Sequence, residues 1–202
     1  MMKLFHSAAS PFVRKVTVCA AELGIALERL PSAAHPIDRD KTIIPLNPLG
    51  KVPTLILEDG TALFDSRVIC EYLDSQAGGG RLFPAAGPAR WRALTEQSLG
   101  DGMLDAGILL RYEGVVRPPE KQSEAWRAGQ MDKIACGLAE LETRAAGFGE
   151  RVDIGTITIG CTLGWLDFRF GDLGWRQGRP QLAAWFERFA QRPSMAGSQP
   201  AA

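Results

Sequence analysis

Apolar positions change period several times along the first eighty residues. Lys3-Leu4-Phe5-His6 predicts a short strand. Ser10-Pro11 then opens a helix, because Ser suits the N-cap and Pro the first helical position. Val13, Val16, Thr17 and Ala20 follow at helical spacing, and Gly24 stops the helix. Ile25 to Leu30 predicts a second strand that runs into Pro31. Strand, helix and strand within about thirty residues form a βαβ unit, so the two strands are expected to be parallel. Residues 31–50 carry Pro31, Pro36, Pro45 and Pro48 and read as irregular, with a short helix expected around Ile37 to Ile43. Val52 to Leu57 and Thr61 to Phe64, joined by Glu58-Asp59-Gly60, predict an antiparallel hairpin. Asp65-Ser66 then caps a helix that extends through about Asp74.

The order β-α-β-(α)-β-β-α is a thioredoxin-like layout, expected over residues 1–77. Residues 78–87, within a stretch that holds Gly78-Gly79-Gly80, Pro84, Gly87 and Pro88, read as a linker. Residues 88–202 show only helical periodicity, so the fold class is α/β followed by an all-α domain. Leu104, Ile108, Tyr112 and Val115 predict one long helix, broken before Pro118-Pro119. Trp126, Ile134, Leu138, Leu141 and Ala145 predict the next. Asp153 caps a third helix, with Ile157, Cys161, Trp165 and Phe168, and a last one starts near Pro180 with Leu182, Trp185, Phe186 and Phe189. These aromatics are spaced for a helical core. The tail Pro193 to Ala202 is small and polar and is expected to be loose. Glycines such as Gly100, Gly107, Gly129, Gly137, Gly160 and Gly164 each cost about 0.8–1 kcal/mol within a helix relative to Ala.

Composition narrows the function classes. Of 202 residues, 46% are hydrophobic and 23% charged, as in a folded globular chain. Lys+Arg is 23 and Asp+Glu is 23, so the formal charge is 23 − 23 = 0 and no basic excess points to nucleic acid. No apolar run approaches the roughly 18–20 residues that span a bilayer. Met1 to Ser10 does not read as a signal peptide. A cytoplasmic protein without membrane or nucleic-acid partners is expected. Cys19, Cys70, Cys136 and Cys161 form no C-x-x-C pair, and with only His6 and His35 there is no zinc pattern; four reduced, mostly buried thiols are expected. Arg14 and Lys15 read as the exposed face of the first helix.

Three stretches in order carry a resemblance: Ser10-Pro11-Phe12-Val13-Arg14-Lys15-Val16, Asn47-Pro48-Leu49-Gly50-Lys51-Val52-Pro53-Thr54-Leu55, and Phe64-Asp65-Ser66-Arg67-Val68-Ile69 leading to Glu71-Tyr72-Leu73. Essentially the whole chain resembles the glutathione S-transferase family. It looks closest to a bacterial branch that starts Ser-Pro-Phe/Tyr-Val-Arg-Lys, and Asp101-Gly102-Met103-Leu104-Asp105-Ala106 fits that branch.

The resemblance implies a set of roles. Val52–Pro53 is expected to be cis, with main-chain groups that pair with the cysteinyl part of glutathione like an added strand. Phe12 and Lys51 border the same ligand, and Lys51 is placed to meet its glycyl carboxylate. A helix N-terminus binds carboxylates through free N–H groups; Ser66 takes the γ-glutamyl carboxylate and Asp65 the amino side. Ser10 is the candidate catalytic residue. A thiol of pKa about 8.5 is only a few percent ionised at neutral pH, and a hydroxyl donor at a helix start stabilises the thiolate. The nucleophile is then the sulfur of glutathione, with Ser10 as donor and Ser7 as the alternative. Asp101, Arg111 and Tyr112, on the first long helix, are candidates for touching the second substrate or a partner copy across a dimer.

Neither Tyr72 nor Tyr112 is near the N-terminus, and Cys19 lies more than two turns into its helix. Tyrosine-dependent and thiol-attacking members are therefore poor matches. Glutathione is a co-substrate, no cofactor or metal is implied, and a homodimer is expected. The implied reaction joins the glutathione thiolate to a small electrophile, or uses it to reduce or dehalogenate one. Two other readings are a non-catalytic interaction module on the same fold and a glutathione-dependent isomerase. The chain departs from the family at Asp153-Ile154-Gly155-Thr156, where Thr stands in place of the carboxylate that returns the N-cap bond; a weak cap is expected there.

Overall fold

A computed structural model of the chain describes residues 1–32 and 35–200. The expected layout is present: a four-stranded mixed sheet with two helices, followed by a wholly helical half. β1 (Lys3–His6), α1 (Pro11–Leu23) and β2 (Glu28–Pro31) make the βαβ unit, with β1 and β2 parallel. β3 (Thr54–Ile56) and β4 (Ala62–Leu63) form the hairpin, and the sheet order is β2-β1-β3-β4. The second strand begins three residues later than expected, because Ile25 and Leu27 lean on the core before pairing starts.

α2 (Ser66–Gln76) follows β4. The rest is α3 (Gly87–Val116), α4 (Glu124–Arg144), α5 (Ile154–Arg169), α6 (Pro180–Ala190) and the short α7 (Pro193–Ala196). The helix expected near Ile37 to Ile43 does not form. Asp40 accepts from the Thr42 N–H and from the hydroxyls of Ser32 and Thr42, which turns the chain locally; Pro45 blocks continuation. Of the irregular stretch 31–50, residues 33 and 34 lie outside the described residues.

α5 is buried along most of its length and is the axis of the helical half, packed against α3, α1 and α6. Close approach needs glycine in places. The Trp165 ring of α5 fills the space a Cβ on Gly107 of α3 would take, at 2.6 Å. The cap of α5 is stronger than expected. Asp153 Oδ1 accepts from the Thr156 N–H and Thr156 Oγ1 accepts from the Asp153 N–H, both at 3.0 Å, so the hydroxyl returns the bond that a carboxylate would.

Residues 77–86 are tied down. The buried Asp74 carboxylate accepts from the N–H groups of Gly80 (2.9 Å), Leu82 (2.8 Å) and Phe83 (3.3 Å), and the Leu82 carbonyl accepts from the Ile154 N–H (2.9 Å). The tail is ordered too, contrary to expectation. Met195 is buried, its carbonyl accepts from Arg14 Nη2 at 3.0 Å, and Glu22 of α1 pairs with Arg192 (2.9 Å) and Ser194. The last two residues of that tail lie outside the described residues. Cys19, Cys70 and Cys161 are buried and unoxidised as expected, whereas Cys136 is exposed on α4.

Arg14 and Lys15 are not on an exposed face. Arg14 is covered by α7, and Lys15 is fully buried, with Nζ 2.6 and 2.9 Å from the two oxygens of Asp101 on α3. Lys15→Met alone is expected to cost about 3–5 kcal/mol, because it strands a buried carboxylate, while Lys15→Met with Asp101→Leu recovers most of the loss. Urea midpoints of the two variants test this. A second pair of variants tests the helix packing. A Cβ on Gly155 would sit 2.9 Å from the Ala93 carbonyl, whereas nothing lies near Gly129. Gly155→Ala is expected to destabilise by about 1–3 kcal/mol and Gly129→Ala to stabilise by up to about 1 kcal/mol in the same measurement.

Candidate functional site

The register decides which edge of the sheet carries the candidate residues. Phe5 pairs with Thr54 and Leu55 with Leu63. The end of β1, the start of β3 and the end of β4 therefore meet at one edge. From it issue the β1–α1 loop with Ser10, the cis Val52–Pro53 bond, and the head of α2 with Asp65-Ser66. The Phe64–Asp65 peptide is also cis.

Ser10 is the N-cap of α1, and its hydroxyl oxygen accepts from the Val13 N–H at a long 3.3 Å. Accepting leaves the hydroxyl proton available as a donor. The loop is held from the helical half: Trp165 Nε1 donates to the Ala9 carbonyl at 3.2 Å. Ser7 borders a different hollow, with His6, Arg14 and Arg29. There burial, and then the Arg29 charge, lower the pKa of His6. Phe12 is half-buried on the first turn of α1, its ring 5.7 Å from the Lys15 ammonium.

Lys51 is exposed, and its carbonyl accepts from Thr54 Oγ1 (2.9 Å) and Asn47 Nδ2 (3.2 Å), which fixes the turn ahead of β3. Pro53 is buried and Val52 half-buried; no backbone group among the described residues bonds to the Val52 N–H or carbonyl. At the head of α2, Asp65 Oδ1 accepts from the Arg67 N–H at 2.9 Å, and Ser66 is buried. Helix starts present unpaired N–H groups and partial positive charge, so this corner suits a carboxylate.

Asp101 stands otherwise than the sequence suggested. It is not open to a ligand, because Lys15 occupies both its oxygens. It also lies 4.0 Å from Arg67, which is 3.0 Å from Asp65. The chain Lys15–Asp101–Arg67–Asp65 thus runs from α1 through α3 to the cap of α2. Burial works against the ionised Asp65, but the hydrogen bonds and charge of Arg67 prevail and hold its carboxyl below the ordinary range. Arg111 lines a cleft further along α3, and Tyr112 is half-buried beside it.

Sequence reasoning missed Lys15, Arg67 and Asp105 as members of this region. A lysine between Val13 and Val16 on an apolar helix face was the available signal for the first. Asp105, one turn beyond Asp101, was the signal for a paired acid. Among the described residues no three His, Cys, Asp or Glu side chains gather as a metal site, and no helix is long and apolar enough to cross a membrane.

Burial and the Asp101 charge raise the Asp105 pKa, against the pull of Arg67 and Lys51. A carboxyl whose folded pKa is raised opposes folding above its ordinary pKa, about 3.9, and is neutral in its effect well below it. Asp105→Asn is therefore expected to raise the thermal midpoint at neutral pH, with the gain fading as pH falls through about 4. Midpoints measured across that pH range decide it.

Comparison with known proteins agrees with the fold and the ordering of these elements. Residues 9–76 match the glutathione S-transferase N-terminal domain, and residues 124–188 match the glutathione S-transferase C-terminal domain. The chain is 35% identical over 202 residues to the uncharacterized GST-like protein YibF of Escherichia coli (strain K12), covering 98% of each. It superposes with a TM-score of 0.97, at 47% identity and full coverage of both chains, on a glutathione transferase family member from Pseudomonas fluorescens Pf-5 crystallised with bound glutathione. A glutathione S-transferase from Methylobacillus flagellatus KT with glutathione bound gives 0.92 at 35% identity, again over both whole chains. On these matches, which span both halves of the molecule, the chain belongs to the glutathione S-transferase family.

Proposed function

We propose that the protein is a glutathione transferase that binds glutathione along the shared sheet edge and joins its sulfur to a small electrophile. The observation that carries this reading is the convergence there of three complementary features. They are main chain without a backbone partner at Val52, a capped helix start at Asp65-Ser66, and a hydroxyl with a spare proton at Ser10. Glutathione-bound relatives of the same fold support it.

In this reading, the Val52 N–H and carbonyl pair with the cysteinyl backbone of glutathione as an added strand. Ser66 and the first turn of α2 hold the γ-glutamyl carboxylate, Asp65 takes the amino group, and Lys51 takes the glycyl carboxylate. Phe12 packs against the bound peptide. Ser10 donates to the sulfur and favours its thiolate, each pKa unit being worth about 1.4 kcal/mol. The thiolate pair then forms the S–C bond, and the leaving group departs with the electrons of the bond that breaks. Dehalogenation is the same displacement with halide as the leaving group. Reduction of a small electrophile takes a second glutathione, whose thiolate attacks the first sulfur to give glutathione disulfide and release the reduced product. A homodimer, a cytoplasmic location and a role in detoxification go with this reading. The exposed apolar side chains of Val68 and Trp91, on neighbouring helices, offer a surface for the second copy.

Calorimetric titration of glutathione is expected to show saturable binding that weakens about tenfold in Ser66→Ala, as when a charge-assisted bond is lost. With chlorodinitrobenzene as electrophile, Ser10→Ala is expected to lower kcat about a hundredfold at neutral pH and to move the rise of the pH–rate profile upward. A lost helix cap alone would lower stability without moving that profile. Wild-type protein that fails to bind millimolar glutathione would overturn the transferase reading and favour an interaction module on the same fold.

A further inference from the structure

A cleft of about 520 Å³ opens between the C-terminal half of α3, the start of α4 and the end of α5. This is the size range of small-molecule sites. Its walls combine the apolar Leu110, Met131 and Phe170 with three arginines, Arg111, Arg127 and Arg169. The charge there is not balanced. Glu124 is the one carboxylate in the lining, and it stands 3.7 Å from Arg127 with its side chain 91% exposed. Among the described residues, neither Arg111 nor Arg169 has a carboxylate within 4.0 Å.

Arg169 is prepared as an anion receptor. Its guanidinium lies 4.0 Å over the Phe168 ring, which sets the plane of the fork. Its Nε is buried without a hydrogen-bond partner. Burial and the like charge of Arg111 both lower its pKa, so the unliganded cleft carries an electrostatic cost that an entering anion offsets. A structural ion pair would have removed that cost within the chain, as Asp167 does for the neighbouring Arg176 at 2.6 Å.

A chain of contacts runs from the cleft wall to the Ser10 loop. Phe170, in its wall, meets Trp165 edge-on at 5.7 Å between centroids, and Trp165 donates to Ala9, next to Ser10. One aromatic pair separates the two places.

We propose that this cleft selects the second substrate: an electrophile with a carboxylate on an apolar or aromatic body, the carboxylate held by Arg111 and Arg169. The assignment rests on the transferase reading and gives it a substrate class. Two conjugates that differ in one group test it, S-(para-carboxybenzyl)glutathione and its neutral carboxamide. Each is titrated calorimetrically into wild type, Arg111→Met and Arg169→Met, beside glutathione alone and benzoate alone. Wild type is expected to prefer the carboxylate by about tenfold, the usual worth of one charge-assisted hydrogen bond, and each variant to bring the ratio within about twofold of unity. Equal affinities in wild type, or a preference kept in both variants, overturn the assignment. If neither glutathione nor either conjugate binds, the transferase reading fails instead, and benzoate then decides the cleft by itself. Saturable benzoate binding that is lost in Arg169→Met upholds an anion site, and no benzoate binding removes it.

Discussion

A lysine ammonium and an aspartate carboxylate taken out of water between α1 and α3 impose conditions on everything around them. Each ion loses hydration worth several kcal/mol, and only close geometry in a low-dielectric interior offsets that loss. Lys15 and Asp101 meet the condition with two short bonds from one ammonium to one carboxylate. The bond holds α1 against the long helix of the other half, so the two halves cannot slide without exposing or stranding a charge. It also turns Asp101 toward Arg67, and through Arg67 toward the cap of α2. The pair thereby fixes where α1 meets α3.

That definition matters because the candidate site has no walls of its own. It is an edge where one loop, one turn and one helix start come together. The sheet sets their spacing through two registers, and the helical half sets the loop through Trp165 and Ala9. Main chain without a backbone partner, a helix start and a hydroxyl are each common. Held at one edge, they form the arrangement on which the proposed glutathione site rests.

Local chemistry was legible in the sequence wherever one residue decides the outcome. Ser10, Pro11 and Gly24 bound the first helix as read, and Asp65 heads α2. The turn around Asp59-Gly60 joins the hairpin strands. What escaped reading depends on residues far apart along the chain. Lys15 looks like a solvated lysine until Asp101, eighty-six positions away, is placed beside it. The tail looks loose because Pro193 to Ala202 holds few large apolar groups, and only Arg14 and Glu22 show why it docks. At Thr156 the expectation failed for a simpler reason: a hydroxyl at the right distance accepts a backbone bond as well as a carboxylate does. Of the candidate site, the element starts that bring Ser10, Val52–Pro53 and Asp65-Ser66 to one edge were readable, and the charges behind them, Arg67 beside Asp65 and Asp105 beside Arg67, were not.

The docking of α7 on α1 has a consequence for how the chain is made. Synthesis runs from the N-terminus, so α1 leaves the ribosome early, with Arg14, Lys15 and Glu22 all lacking their partners. Asp101 follows about half a chain later, and Arg192, Ser194 and Met195 near the end. Until then the helix that carries Ser10 has an uncovered apolar face, and its three charges are held by water rather than by the partners of the folded chain. The earliest part of the candidate site to be translated is thus among the last to gain all its contacts.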